Sequence, residues 1–217
     1  MANSKPKFKL LEQSQRLYEI SNPLVGLTGG IATGKSAAAN LLREKGHIVL
    51  DADKLVHQVY ASTDTKEFIQ GLAPKCTKGE SELIEIDFKA LRKLFFSNKE
   101  IKQKVEAHIY SKLPQAFLDS LKDISDDQVV FYDVPLLFEK ELNKKTDLNV
   151  VVYASQNTQI ERVMKRDQIE KELAQKIIFA QIPIDVKKEM ADIVLSNEGS
   201  LNDLEKEIDA FLSTNFE

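Results

Sequence analysis

Lys35 and Ser36 close the run Gly29-Gly30-Ile31-Ala32-Thr33-Gly34-Lys35-Ser36, which has the complete spacing G-x-x-x-x-G-K-[ST]. Glycines at these places let the backbone turn tightly, so that successive N–H groups and the start of the next helix point at an anion. Lys35 then reaches the β and γ phosphates of a nucleoside triphosphate, and the Ser36 hydroxyl reaches its magnesium ion. The motif needs a strand before it and a helix after it. Leu24-Val25-Gly26-Leu27 supplies the first, and Ala37-Ala38-Ala39-Asn40-Leu41-Leu42 the second. The nucleotide contacts expected on this reading are Gly29, Gly30, Ile31, Ala32, Thr33, Gly34, Lys35, Ser36 and Ala37.

Other polar residues fall where ligands of an open α/β sheet bind, outside the carboxyl ends of the strands. Asp51-Ala52-Asp53 follows the apolar run His47-Ile48-Val49-Leu50. Asp53 has two open roles: to accept a proton from a hydroxyl attacking the γ phosphate, or to cap a helix over residues 54–60. Asp51 is structural or an outer-shell metal contact. Asp133 ends the run Gln128-Val129-Val130-Phe131-Tyr132, a place from which an acid holds magnesium through its water shell. Arg162 and Arg166, four residues apart, share one helix face. They either close on the triphosphate or form a solvated salt-bridge face with Glu161 and Asp167. His108 reads first as a helix-surface residue and Arg92 as an exposed helix arginine, with a substrate-phosphate role as the alternative for the guanidinium.

The elements that must position these residues alternate between strand and helix. Strands are expected at residues 24–27, 47–50, 128–133, 148–153 and 192–195, giving a five-stranded parallel sheet whose crossovers are helical and right-handed. Residues 63–124 turn predominantly helical and more polar, with Leu91, Leu94, Phe95, Ile101, Val105, Ile109 and Leu113 at helical spacings, as in an insertion. A helix is expected over residues 156–166. Before the first strand, Leu10, Leu11, Leu17 and Ile20 line one side of a short helix stopped by Asn22-Pro23, or belong to a tail docked on the surface.

With 217 residues, 42% of them hydrophobic, the chain can bury a real core as one α/β unit with appended lobes. A net charge of −4, spread along the chain, favours no nucleic-acid partner. Cys76, the single cysteine, allows no intrachain disulfide and sits in a polar loop between Pro74 and Gly79. No apolar run approaches the roughly 18 residues of a membrane span, and Lys5, Lys7 and Lys9 come without the apolar core of a signal peptide. A soluble, unexported, cytoplasmic protein is expected, with its oligomeric state open.

Leu27-Thr28-Gly29-Gly30-Ile31, the Asp51-Ala52-Asp53 triplet, Pro135-Leu136-Leu137-Phe138-Glu139, Arg162 with Arg166, Ala180-Gln181, and Ala191-Asp192 followed by Asn197-Glu198-Gly199 occur in that order. In this combination the chain resembles the dephospho-CoA kinases over residues 24–204. The resemblance implies a P-loop fold of the nucleoside monophosphate kinase type. Its core would comprise residues 23–62, 125–155 and 191–217, with an N-terminal extension over 1–22, a helical dephospho-CoA lobe over 63–124 and a lid over 156–190. It implies transfer of the γ phosphate of ATP, with Mg2+, to the ribose 3′-hydroxyl of dephospho-CoA. The implied catalytic residues are Asp53 as base, Lys35, Arg162 and Arg166. Ser36 and Asp133 would hold the metal, Asn197 and Gly199 would lie beside the adenine, and Asp53, Arg92 and His108 would meet the acceptor. The chain departs from the family pattern at His108-Ile109, where His-Pro is usual, and at Lys176, where many members have Arg. A nucleoside monophosphate kinase shares the architecture. A GTP switch is disfavoured, since Asn143-Lys144-Lys145-Thr146 lacks the Asp of the guanine signature and no Asp-x-x-Gly occurs.

Overall fold

In a computed structural model, residue 8, residues 10–80 and residues 83–216 are described; Lys5, Lys7 and Lys9 lie outside the described residues. The chain divides into two compact units, Met1–Asp51 with Ile124–Glu217, and Ala52–Asp123.

The first unit is built on a sheet of β1 (Leu24–Gly29), β2 (Ile48–Asp51), β5 (Val130–Asp133), β6 (Leu148–Tyr153) and β7 (Ile193–Ser196). Its strand order is β2-β5-β1-β6-β7, and every pairing is parallel. β1 is buried along its whole length, as a central strand covered on both faces should be. β2 was expected to be buried but is only half-buried, because it lies at the sheet edge with β5 as its single neighbour. α1 (Lys35–Glu44) follows β1, and α9 (Leu201–Phe216) follows β7. Val25, Leu27, Phe131, Val150 and Val152 of the sheet pack with Ala38, Ala39 and Leu42 of α1 and Leu204, Ile208 and Phe211 of α9. Burying an aliphatic or aromatic side chain of this kind contributes about 1.5–3 kcal/mol.

Between β6 and β7 run α6 (Gln156–Asp167), α7 (Lys171–Ile178) and α8 (Ile184–Met190). The expected helical crossover from β5 to β6 is missing. Residues 134–147 make turns and one short 3-10 segment, Leu142–Lys145, because the chain needs only to step past β1. The segment before β1 is also not the expected helix. It forms two 3-10 turns, Gln13–Gln15 and Leu17–Glu19, with Leu17 and Ile20 buried and Leu10 exposed. Tyr18 and Glu19 have left-handed φ values of 56° and 55°, which no α-helix accommodates. Arg16 and Asp147 hold this segment instead, paired at 2.8 Å with side chains 6% and 0% exposed.

The second unit contains α2 (Ala52–Ala61), α3 (Thr63–Leu72), α4 (Phe88–Ser97) and α5 (Lys99–Asp119). It starts with α2, eleven residues before the helical stretch expected from residue 63. Val105, Ile109, Leu113 and Phe117 form the buried stripe of α5 at a strict spacing of four. The unit also carries a small antiparallel hairpin, β3 (Thr77–Lys78) with β4 (Glu85–Ile86), inside the stretch expected to be helical. Cys76 ends the 3-10 turn just before this hairpin and is buried rather than placed in a polar loop; burial and the nearby Asp87 push its thiol pKa up.

Candidate nucleotide site

The loop between β1 and α1 has the curvature that its glycines and small residues permit. Ala32 has φ 60° and Gly34 φ 92°, both left-handed. At Gly34 a Cβ would run into the Asn197 side-chain amide, and the left-handed backbone strains any other residue there. The carbonyl oxygens of Gly30, Ala32 and Thr33 are occupied. Thr33 donates to Gly30 O through its amide at 3.3 Å and its hydroxyl at 3.0 Å. Arg162 Nη1 donates to Ala32 O at 3.3 Å, and Asn197 Nδ2 donates to Thr33 O at 2.7 Å. Carbonyls held in this way do not turn toward an anion, and α1 adds the positive end of its dipole. Ile31 and Ala32 also pack on the apolar cluster Ile160, Val163, Ala174 and Ile178 joining α6 to α7.

Lys35 and Asp133 form an ion pair and hydrogen bond from the first residue of α1 to the last of β5. Asp133 is buried, which pushes its carboxyl above the ordinary carboxylate range, while the Lys35 ammonium pulls the other way. In the sheet register Asp51 of β2 lies opposite Asp133, which in turn lies opposite Leu27 of β1. Ser36, one residue after Lys35, is exposed in the first turn of α1. A magnesium ion keeps several waters and takes few protein carboxylates, so one hydroxyl and one strand-end carboxylate suit it. No cluster of three His, Cys, Asp or Glu side chains suited to a metal occurs among the described residues.

Arg162 and Arg166 do not act on the same partners. Arg162 joins the phosphate loop to the segment following β7, its Nη2 donating to Asn197 O at 2.9 Å. Arg166, with its side chain 60% exposed, turns to its neighbour Asp167 through bonds of 2.7 and 2.9 Å. Asn197 is buried and Gly199 exposed. Between them Glu198 accepts from the Ser155 amide and from the Ser155 and Thr158 hydroxyls at the start of α6. These donors, Thr158 foremost, hold the Glu198 carboxyl below its usual range. Sequence reasoning placed Glu198 within the motif Asn197-Glu198-Gly199 and gave it no contact of its own. Its signal was its place between Asn197 and Gly199, and the missing information was that a residue 43 positions away opens a helix there.

The second unit holds the remaining expected residues. Asp53 is exposed in the first turn of α2. That helix starts at Ala52, so Asp53 lies inside the first turn and is not the cap of a helix over 54–60. Arg92 is exposed on α4. His108 is not a helix-surface residue. Its side chain is 13% exposed and its ring stacks on Phe68 with centroids 4.1 Å apart and planes 6° apart. Its Nε2 lies 3.1 Å from Thr65 Oγ1 and 3.5 Å from Asp64 Oδ2. Packing of α3 against α5 turns the imidazole inward.

With this geometry in place, residues 23–203 match the family model for dephospho-CoA kinase. The chain belongs to the dephospho-CoA kinase family. A dephospho-CoA kinase of Fusobacterium nucleatum is 37% identical over 191 residues, which cover 88% of this chain and 97% of that one. One from Arabidopsis thaliana is 36% identical over 201 residues, covering 87% of this chain and 82% of that one. Among solved structures, a Thermus thermophilus protein superposes with a TM-score of 0.74 at 32% identity, over 89% of this chain and 97% of that one. The family match runs from residue 23 to 203, so it takes in the sheet, the loop and the second unit but leaves out the two 3-10 turns before β1 and most of α9. No helix among the described residues is long and apolar enough to cross a membrane.

Proposed function

We propose that the chain transfers the γ phosphate of ATP to the ribose 3′-hydroxyl of dephospho-CoA, yielding coenzyme A and ADP. The observation that carries this reading is a phosphate loop with its Gly30, Ala32 and Thr33 carbonyls occupied and its lysine paired to a strand-end aspartate, within a chain of this family. Phosphoryl transfer asks a protein for alignment and charge neutralisation, and for no covalent nucleophile. The acceptor oxygen forms its bond to the γ phosphorus as the bond from that phosphorus to the β–γ bridging oxygen breaks. The hydroxyl proton passes to Asp53, and ADP leaves with the bridging oxygen.

The loop amides and Lys35 bind the β and γ phosphates, so Lys35 leaves Asp133 when the triphosphate enters. Ser36 and Asp133 would hold Mg2+, which neutralises charge on the phosphate oxygens when bound. Asn197 and Gly199 flank the adenine. Arg162 supplies positive charge from the loop side, and Arg166 joins it from the exposed face of α6 as the 156–190 region closes and excludes water. Residues 63–124, with Arg92 and His108, accept dephospho-CoA. The single cysteine suits the reducing cytoplasm.

The test is ADP release from magnesium ATP with dephospho-CoA as acceptor, beside AMP, CMP, UMP and no acceptor, with the product identified by mass. Coenzyme A formed in the dephospho-CoA reaction alone is the expected result, and Lys35→Ala should abolish it. Transfer to a nucleoside monophosphate would overturn the acceptor assignment and leave the nucleotide site standing.

A further inference from the structure

Lys187 of α8 has no exposed surface at all and is among the largest fully buried side chains of the chain. A buried ammonium is tolerated only where its charge and its three donors are met. Here Nζ meets Glu139 Oε1 at 2.8 Å, Gly29 O at 3.3 Å and Pro135 O at 3.2 Å. Gly29 is the last residue of β1 and the first glycine of the phosphate loop. Pro135 stands two residues beyond Asp133, and its carbonyl also accepts from the Thr28 hydroxyl at 3.3 Å. Glu139 Oε1 accepts from the Ile182 amide at 3.3 Å, ahead of α8. The other oxygen, Oε2, is buried without a hydrogen-bond partner among the described residues, which leaves Lys187 as the charge partner of this carboxylate.

The Gly29 bond has a directional consequence. In a trans peptide the carbonyl of Gly29 and the N–H of Gly30 lie in one plane and point in opposite directions. Holding that carbonyl on Lys187 therefore sets the direction of the loop's first amide, and releasing it would let the carbonyl swing toward the phosphates. The same ammonium fixes the segment that carries Asp133.

We propose that Lys187, paired with Glu139, is a positioning residue for phosphoryl transfer, which aligns the start of the phosphate loop and the strand end bearing Asp133 from beneath. The inference rests on the nucleotide half of the function proposed above and is independent of the acceptor. It is tested by MgADP titration calorimetry, steady-state kinetics and thermal melting of Lys187→Met, which keeps length and apolar bulk and removes the charge. The expected result is a single cooperative melt with MgADP binding weakened about tenfold, the equivalent of one lost charge-assisted contact. Turnover should fall by about 10²-fold, the scale of a 1 Å misplacement. A lowered melting temperature with binding and turnover of the folded protein unchanged would make Lys187 merely structural and overturn the proposal. If Lys187→Met does not fold, Glu139→Gln carries the test, since it keeps the shape and strips the lysine of its counter-charge. MgADP affinity reduced several-fold is then expected, and unchanged affinity overturns the proposal. Failure of the unsubstituted chain to bind MgADP would overturn the functional proposal and this one with it, whereas tight binding by wild type and variants alike overturns this one alone.

Discussion

Asp133 ends strand β5, whereas Asp53 stands in the first turn of α2. Asp133 is buried and already paired with a cation, so its charge is committed to electrostatics. Asp53 is exposed in the first turn of a helix, where a carboxylate is favoured by the dipole, and its proposed role is that of base. Asp53→Asn should therefore lower kcat by about 10²–10⁴-fold, the usual range for losing a general base, with the KM for ATP nearly unchanged. Steady-state kinetics with both substrates varied checks this, and an unaltered kcat would remove Asp53 from the base role. At this scale the sequence discloses what contiguity discloses. Lys35 and Ser36 are legible because the loop that uses them is one unbroken run, and Asp133 because an acid closing an apolar strand has few places to point. Lys187 and Glu198 are not legible, since a lysine or glutamate in a polar stretch acquires its meaning from burial against residues tens or hundreds of positions away.

Helix α6 carries two arginines that sequence spacing treats as equals, and packing separates them. Arg162 is tied to Ala32 O and Asn197 O, so it braces both the phosphate loop and the segment following β7. Arg166 is exposed and spends its hydrogen bonds on Asp167. Arg162→Ala should raise the KM for ATP by about tenfold, the cost of roughly one charge-assisted bond, besides lowering kcat. Arg166→Ala should lower kcat and leave the KM for ATP within about a factor of two, because none of its bonds in this structure touches the loop; the pair is separated by measuring both constants for both variants. Equal effects on KM would mean that the two guanidiniums share the nucleotide from the outset. Strands at the sheet centre and the stripe of α5 were readable from periodicity, because burial on two faces or on one helical face leaves an unbroken or four-spaced apolar pattern. The N-terminal turns were not. Leu17 and Ile20 are three apart, which fits a helix, but left-handed Tyr18 and Glu19 between them depend on the Arg16 to Asp147 contact that no local pattern encodes.

Across the whole molecule, stability draws on a few buried polar contacts as well as on the apolar core. Asp147 is one: it accepts from the Leu11 amide and the Leu24 amide, each at 2.6 Å, and from Arg16. Removing one partner of a buried pair leaves an uncompensated charge at a cost of about 3–5 kcal/mol, so Asp147→Ala should lower Tm well outside error in a calorimetric scan. A shift below about 2 °C would mean that the segment before β1 is held without it. Acid should act on the fold through His47, whose ring meets Phe131 edge-on at 5.5 Å and leans on Phe216 at 6.3 Å. Burial pushes its pKa below the ordinary 6.5, so the folded chain keeps the imidazole neutral where the unfolded chain protonates it. Above pH 6.5 both states are neutral and the His47 contribution is fully present; as pH falls below 6.5 the unfolded state binds the extra proton first, and stability declines until the folded value is reached. The urea midpoint of the wild type should accordingly drop as pH falls below 6.5, and His47→Phe, which retains the aromatic contacts and cannot take a proton, should flatten that part of the curve. Parallel curves for the two proteins would place the acid sensitivity elsewhere in the chain.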